Sequence, residues 1–235
     1  MRSNTLRSIL AAIAGAAVLM GAGSTSRAAT PDGTLARIRA RGVIRLAYRP
    51  DAAPFSYQGK AGEPAGFTLD LCRTVAAHIA QHLGIASLKI AYVPVDLADR
   101  FSTIERHQAD LLCGATIATL AARKTVDFSI STFVDAAGLL VPAGGPTALS
   151  ALAGHKIGVT DGSTAERELR DLLKTRKIGA EVVPLKNASD AASMLDNGQL
   201  SAYFADRVTL ARLRRESKSP EKLTIANSFF SIDPY

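Results

Sequence analysis

Tryptophan is absent from the 235-residue chain, aromatic residues make up 6 %, and there are only four histidines and two cysteines. A core must therefore be built from Leu, Val, Ile and Ala. The histidines are dispersed, and Cys72 and Cys113 have no ligand-type neighbours. No zinc-like spacing exists, so neither a metal nor another cofactor is expected. No nucleophile–His–acid trio is visible, which weighs against hydrolytic chemistry. The basic residues form no stripe interleaved with aromatics, which disfavours nucleic acid as a partner. Their one local concentration, Arg212 to Lys218 (RLRRESK), reads as a solvated helix end. The one long apolar run, Ile9 to Ala22, is short for a membrane span.

That run belongs to a leader. Arg2 and Arg7 precede it, and Ser26-Arg27-Ala28 follows as a small-x-small cleavage pattern. Residues 1–28 are expected to be a secretory signal peptide, with Ala29 the new start and the periplasm the destination. No cysteine lies near the cleavage site, so a lipoprotein anchor is not expected. Loss of Arg2, Arg7 and Arg27 lowers the formal charge from +7 to +4. This mild excess favours small anionic partners weakly. Export also permits a disulfide. Cys72 lies on an expected helix and Cys113 at the end of an expected strand, so a bridge is favoured over two small buried thiols.

Periodicity then lays out an α/β chain. Leu35 and Ile38 belong to an amphipathic helix ending at Gly42, and Val43 to Tyr48 reads as a strand. Pro50 to Gly66, rich in Pro, Gly and Ala, reads as loop. Leu69 to Leu83 has helical spacing and stops at Gly84. Lys89 to Val93 and Asp110 to Cys113 read as strands around a short helix, Arg100 to His107. The β-α-β-α-β order implies parallel pairing. Phe133 to Val141 reads as the strand leaving this first lobe. A second cycle follows, with strands at Lys156 to Val159, Glu181 to Leu185 and Leu200 to Ala205. Its helices are Ser163 to Lys174, Ala188 to Asp196 and Arg207 to Glu216. The expected division is lobe one over 29–141, lobe two over 142–230, and the start of a return crossing over 231–235. Two lobes joined by extended crossings suggest a hinged clam, and a monomer is expected.

The chain is organised around Asp110 to Ser129, DLLCGATIATLAARKTVDFS. A strand ending in Gly114 exposes backbone N–H groups and the Thr116 hydroxyl at its carboxyl end, where open α/β sheets bind ligands. A plain strand–turn–helix connection is the alternative. The pattern G-A-T-x-x-T-x-x-x-R-K-x-V-D-F-S resembles the central signature of the periplasmic solute-binding proteins of ABC importers, polar amino-acid family (type 2). Gly42 to Tyr48, Pro54 to Tyr57, Gly66 to Leu71 and Tyr203 to Asp206 agree with it. The likeness runs from about Leu35 to Tyr235, and its nearest branch looks like the glutamate/aspartate binders. It implies the two-lobed type II fold, an amino-acid or related carboxylate ligand, and a membrane permease as partner. In that family the Pro-Tyr pair opens the return crossing, so lobe one is expected to lack its closing elements.

The resemblance also implies site residues. Arg49 and Arg100, at the carboxyl side of lobe-one strands near Thr116, would hold a ligand carboxylate through paired charge-assisted hydrogen bonds. The alternative is two surface arginines paired with Asp51 or Asp99. Thr160, Ser163 and Thr164 open a helix whose first amides would hold an α-carboxylate. The alternative is capping of that helix, with Glu166 closing a capping box. Asp206 would take the α-ammonium, or else cap the helix from Arg207. Phe55 is a further candidate.

This sequence departs from the family pattern at several of these places. The arginine that clamps the α-carboxylate is replaced by Ala122; Arg123, one step around a helix, is a candidate contact if the loop is re-registered and otherwise points to solvent. Leu97, Ala115 and Ala188 replace polar residues of the acidic-binder branch. Lost hydrogen-bonding partners change which ligands a buried cleft accepts. A non-enzymatic binding protein is the expectation, and two other functions of the same fold are its alternatives. One is a cyclohexadienyl dehydratase-like enzyme using Glu166 or Asp206; the other is a degenerate or sensing ligand-binding module.

Overall fold

The computed structural model describes residues 33–235; the expected signal peptide lies outside them. Helix α1 (Thr34–Arg41) ends at Gly42 in the left-handed conformation, and strand β1 (Val43–Tyr48) follows at once. The next stretch, expected to be loop, holds three short strands, β2 (Asp51–Ala52), β3 (Ser56–Gln58) and β4 (Pro64–Ala65), paired antiparallel in that order. Their brevity explains why no apolar alternation announced them. Helix α2 (Phe67–Leu83) begins where Gly66 passes tightly against Phe55: a Cβ there would meet the Phe55 carbonyl oxygen at 2.3 Å. Strand β5 (Lys89–Pro94), helix α3 (Arg100–Glu105) and strand β6 (Leu111–Cys113) complete this half.

Strands β5, β1 and β6 form one parallel sheet with β1 in the centre. Ile38, Leu69 and Ala76 from α1 and α2 cover one face, packing on Ile44 and Leu46. A smaller cluster of Ala47, Val95 and Ala109 lies apart from that one. Cys72 on α2 and Cys113 at the end of β6 are joined as a disulfide, the pairing favoured above. Asp110, just before β6, is buried and takes a two-pronged hydrogen bond from Arg41 together with the Arg45 amide.

The chain crosses over at β7 (Val134–Asp135), which pairs antiparallel with β13 (Asp233–Pro234). Strand β8 (Ala137–Pro142), expected to end lobe one, instead belongs to the second sheet. The boundary therefore falls at the β7 crossing, before rather than after this strand. An apolar run buried on both faces carries no mark of the sheet it joins. The rest of lobe two is β9 (Lys156–Thr160), α4 (Thr164–Thr175), β10 (Glu181–Leu185), α5 (Asp190–Asp196), β11 (Ala202–Asp206), α6 (Arg207–Glu216) and β12 (Leu223–Ile225). Its sheet runs β10-β9-β11-β8-β12, parallel through β11 and antiparallel beyond. Leu169 and Leu173 of α4 pack on one face, and Leu210 and Leu213 of α6 with Leu195 of α5 pack on the other. Two half-sandwiches thus turn the carboxyl ends of their parallel strands toward the same cleft.

Candidate functional site

Strand β1 ends at Tyr48, so Arg49 stands at the mouth of the first sheet. The buried Ser56 hydroxyl accepts from the Arg49 amide at 2.9 Å and donates to its carbonyl at 3.1 Å. The same small sheet presents Asp51, whose carboxylate takes two hydrogen bonds from the Arg49 guanidinium at 2.9 and 2.7 Å. The Ala53–Phe55 segment is held from behind by α2, where the Thr68 hydroxyl and amide both donate to the Phe55 carbonyl at 2.6 and 2.9 Å. Phe55 packs edge-on against Phe67, Phe133 and Tyr235, tying this segment to the hinge.

From lobe two come the ends of β9 and β11 and the starts of α4 and α6. The Ser163 hydroxyl accepts from the Glu166 amide at 3.1 Å, and Glu166 reaches back to the Gly162 amide at 2.8 Å. The capping arrangement is therefore formed. It leaves the amides of Thr164 and Ala165, which have no intrahelical acceptor. Arg170 holds the Glu166 carboxyl below the usual carboxylate range. The Thr160 and Tyr203 hydroxyls are 2.7 Å apart, and burial pushes the Tyr203 phenol up to about 12.

Asp206 does not cap α6. Its side chain makes no cap hydrogen bond, and the Val208 amide is taken by Asp135 of the hinge strand at 3.0 Å. Burial pushes the Asp206 carboxyl up to about 6, helped by the charges of Asp135 and Asp233 and opposed by Tyr235. The Tyr235 hydroxyl adjoins that carboxylate, buried and without a hydrogen bond of good geometry. On the hinge side of α4, burial lifts Glu168 to about 7, assisted by Asp233.

One cavity of about 90 Å³ between the lobes brings together Arg49, Phe55, Thr160, Ser163 and Asp206 among the expected residues. Ala52, Ala53, Ala115, Ala165 and Ala188 supply apolar wall, and Thr209 and Arg212 of α6 line it as well. Arg100, Thr116 and Thr164 lie outside this wall. Arg100 is half-buried without a carboxylate partner among the described residues. Burial draws its guanidinium below the ordinary arginine range, and the positive charges of Arg49 and Arg167 add to that. Arg123 does not reach in. It is exposed and sits over the Phe128 ring at 5.5 Å, while Ala122 beside it is buried. In the short 3₁₀ turn Ala122–Lys124, neighbouring side chains diverge by about 120°, so only one of the two can face inward.

Arg212 corrects the reading of RLRRESK as a solvated end. On α6, Thr209 and Arg212 lie three apart and share the cleft face, just beyond Asp206 at the end of β11, whereas Leu210 and Leu213 face the core. That spacing was the available signal, hidden by the density of charge around it. No group of three or more His, Cys, Asp or Glu suited to a metal occurs among the described residues.

Residues 44–229 match the bacterial extracellular solute-binding proteins, family 3. The chain belongs to that family. This solute-binding protein is 29 % identical over 208 residues to the L-glutamate/L-aspartate-binding protein of Pseudomonas aeruginosa, covering 86 % of this chain and 68 % of that one. It is 27 % identical over 232 residues to the glutamate/aspartate import solute-binding protein of Escherichia coli K12, covering 98 % and 77 %. A solved ancestral arginine-binding protein bound to arginine superimposes with a TM-score of 0.69 at 27 % identity, covering 83 % of each chain. The family-3 protein therefore has the two-lobed type II periplasmic binding fold. No described helix is long and apolar enough to cross a membrane.

Proposed function

We propose that this solute-binding protein captures a small anionic or zwitterionic solute, an amino acid or related carboxylate, in the periplasm and presents it to an inner-membrane ABC permease. The observation that carries the proposal is the charge arrangement of the interlobe cavity. A guanidinium stands on each side, Arg49 and Arg212, with a buried carboxylate at Asp206 and helix amides at the start of α4. Such a wall complements a molecule bearing both a carboxylate and an ammonium group. Arg49, Thr160, Ser163 and Asp206 are the proposed contacts within it, with Phe55 as apolar wall. Arg100, Thr116 and Thr164, outside this wall, are proposed to add positive field and hydrogen-bond donors.

The size of the cavity supports a clam mechanism. About 90 Å³ is well below the roughly 300–1,000 Å³ of ordinary ligand pockets. Entry of an amino acid therefore requires the lobes to part, and a ligand touching both lobes shifts the balance back toward closure. Relatives named as binding proteins for glutamate and aspartate support an amino acid. The alanines at 115, 122 and 188 support a pocket with selectivity of its own. Thermal-shift screening of the mature protein against amino acids and organic acids tests the proposal. A stabilised carboxylate-bearing solute is expected; a flat response across the panel would reject it in favour of a degenerate module.

Asp206 also favours a second reading, since a carboxyl poised near 6 suits general acid–base work. Glu166, held low by Arg170, does not. Turnover of prephenate or arogenate by the purified protein would establish the dehydratase-like alternative.

A further inference from the structure

The buried Ala122 leaves the loop after β6 without a carboxylate clamp, and Arg123 is committed to the outer face. A different guanidinium occupies the cavity wall. Arg212 rises from the cleft-facing side of α6, and its side chain is only 12 % exposed. Its Nε donates to the Ala53 carbonyl at 3.0 Å, and one terminal nitrogen donates to Glu216 at 2.6 Å. Among the described residues, the bond to Ala53 is the one hydrogen bond that joins the two lobes outside the hinge. It fixes the guanidinium between Glu216 of its own helix and the Ala53 carbonyl of lobe one.

We propose that Arg212 is the carboxylate anchor of lobe two, so that the ligand's carboxylate is gripped between Arg49 and Arg212. The inference rests on the amino-acid or carboxylate reading above and adds the residue that sets its specificity. The two arginines are built alike. Each spends two nitrogens on fixed acceptors and leaves one terminal nitrogen without a protein acceptor among the described residues. Among the described residues, each is ion-paired with one well-exposed carboxylate, Asp51 at 43 % and Glu216 at 53 %. Water screens such partners, so the positive field toward the cavity survives. Two guanidiniums converging from opposite lobes can bind a carboxylate only when the cleft is shut, which couples recognition to closure.

The test uses the mature, disulfide-bonded protein. Calorimetric affinities are measured for the tightest binder from a panel of the twenty L-amino acids and C2–C5 carboxylates, and for its methyl ester. Arg212→Met keeps the packing of the stem, and Arg212→Lys keeps the charge. In the parent, the acid should bind at least about tenfold better than the ester. In Arg212→Met that preference should shrink by about tenfold, with partial recovery in Arg212→Lys. If the acid and its ester weaken equally, Arg212 is only a strut to Ala53 and the inference falls. If the parent binds a carboxylate solute and Arg212→Met keeps its full preference for acid over ester, the inference falls while the wider reading stands. A parent that binds nothing in the panel overturns both. Should Arg212→Met fail to fold, Arg212→Gln gives the same comparison, since it too removes the charge.

Discussion

Asp135 caps the helix that Asp206 precedes. Its Oδ2 accepts from the Val208 amide at 3.0 Å and its Oδ1 from the Ala136 amide at 2.8 Å. The hinge strand thus performs the local task that position 206 would ordinarily perform, and Asp206 is left facing the cleft. Replacing Asp135 by Ala should cost about 1 kcal/mol of stability, the usual scale of a lost cap. Chemical denaturation checks this. Asp135→Asn should also lower the Asp206 pKa, because the Asp135 charge is one of the causes that raise it. An unmoved titration curve would separate the two residues.

Affinity for ammonium-bearing solutes should fall below about pH 6, where burial makes Asp206 take up a proton. If only the carboxylate form binds the amine, the loss approaches tenfold per pH unit well below that value. Deaminated analogues should show no such loss. Asp206→Asn should abolish the pH dependence for amines and leave the analogues unchanged. Calorimetry from pH 5 to 8 makes the comparison.

The same shifts govern stability in the absence of ligand. Asp206 at about 6 and Glu168 at about 7 bind their protons more tightly in the folded protein than carboxyls do in an unfolded chain. The stability they contribute is fully present below the ordinary carboxylate range and is lost as pH rises through about 6 and 7. The unliganded protein should therefore gain melting temperature relative to a Glu168→Gln, Asp206→Asn double variant on going from pH 7.5 to pH 5. A parallel response in the two proteins would contradict this.

Arg100 is half-buried, its pKa lowered by that burial and by the charges of Arg49 and Arg167, with no carboxylate partner among the described residues. Arg100→Met should leave the ligand-free protein as stable as the parent or more so, since it removes like-charge repulsion and a desolvation cost. It should at the same time weaken anion binding through loss of positive field, by less than the roughly tenfold that a direct charged hydrogen bond supplies. Loss of both stability and affinity would instead mark Arg100 as structural.

The disulfide closes a separation of 41 residues and anchors the end of β6 to α2, directly before the Gly114–Thr116 turn. On the chain-entropy account, reduction should cost up to about 4 kcal/mol. It should also speed hydrogen exchange at the amides of residues 114–119 more than in lobe two. Melting curves with and without reductant, and exchange measured by mass spectrometry, test both effects.

Much of this protein was legible in its residues, where a physical rule acts over a few positions. Strands β1, β5, β9 and β10 and helices α2, α4 and α6 follow from apolar spacing and from glycine stops such as Gly42 and Gly84. The central Gly114–Ser129 signature carried the family and with it the fold. The small sheet around Asp51 and the allegiance of β8 were not legible. Two-residue strands have no period to detect, and a fully buried strand reads the same in either sheet.

The cleft divides in the same way. Sequence by itself determined that Arg49, Thr160 and Asp206 stand at strand ends, because strand ends are set by local pattern. Only the tertiary structure decided that Asp135 relieves Asp206 of capping, that Arg123 turns outward, and that Arg212 reaches Ala53 on the opposite lobe. A side chain's helical face is a local property. What it meets across a cleft depends on how two separately folded sheets are brought together by the β7–β13 hinge.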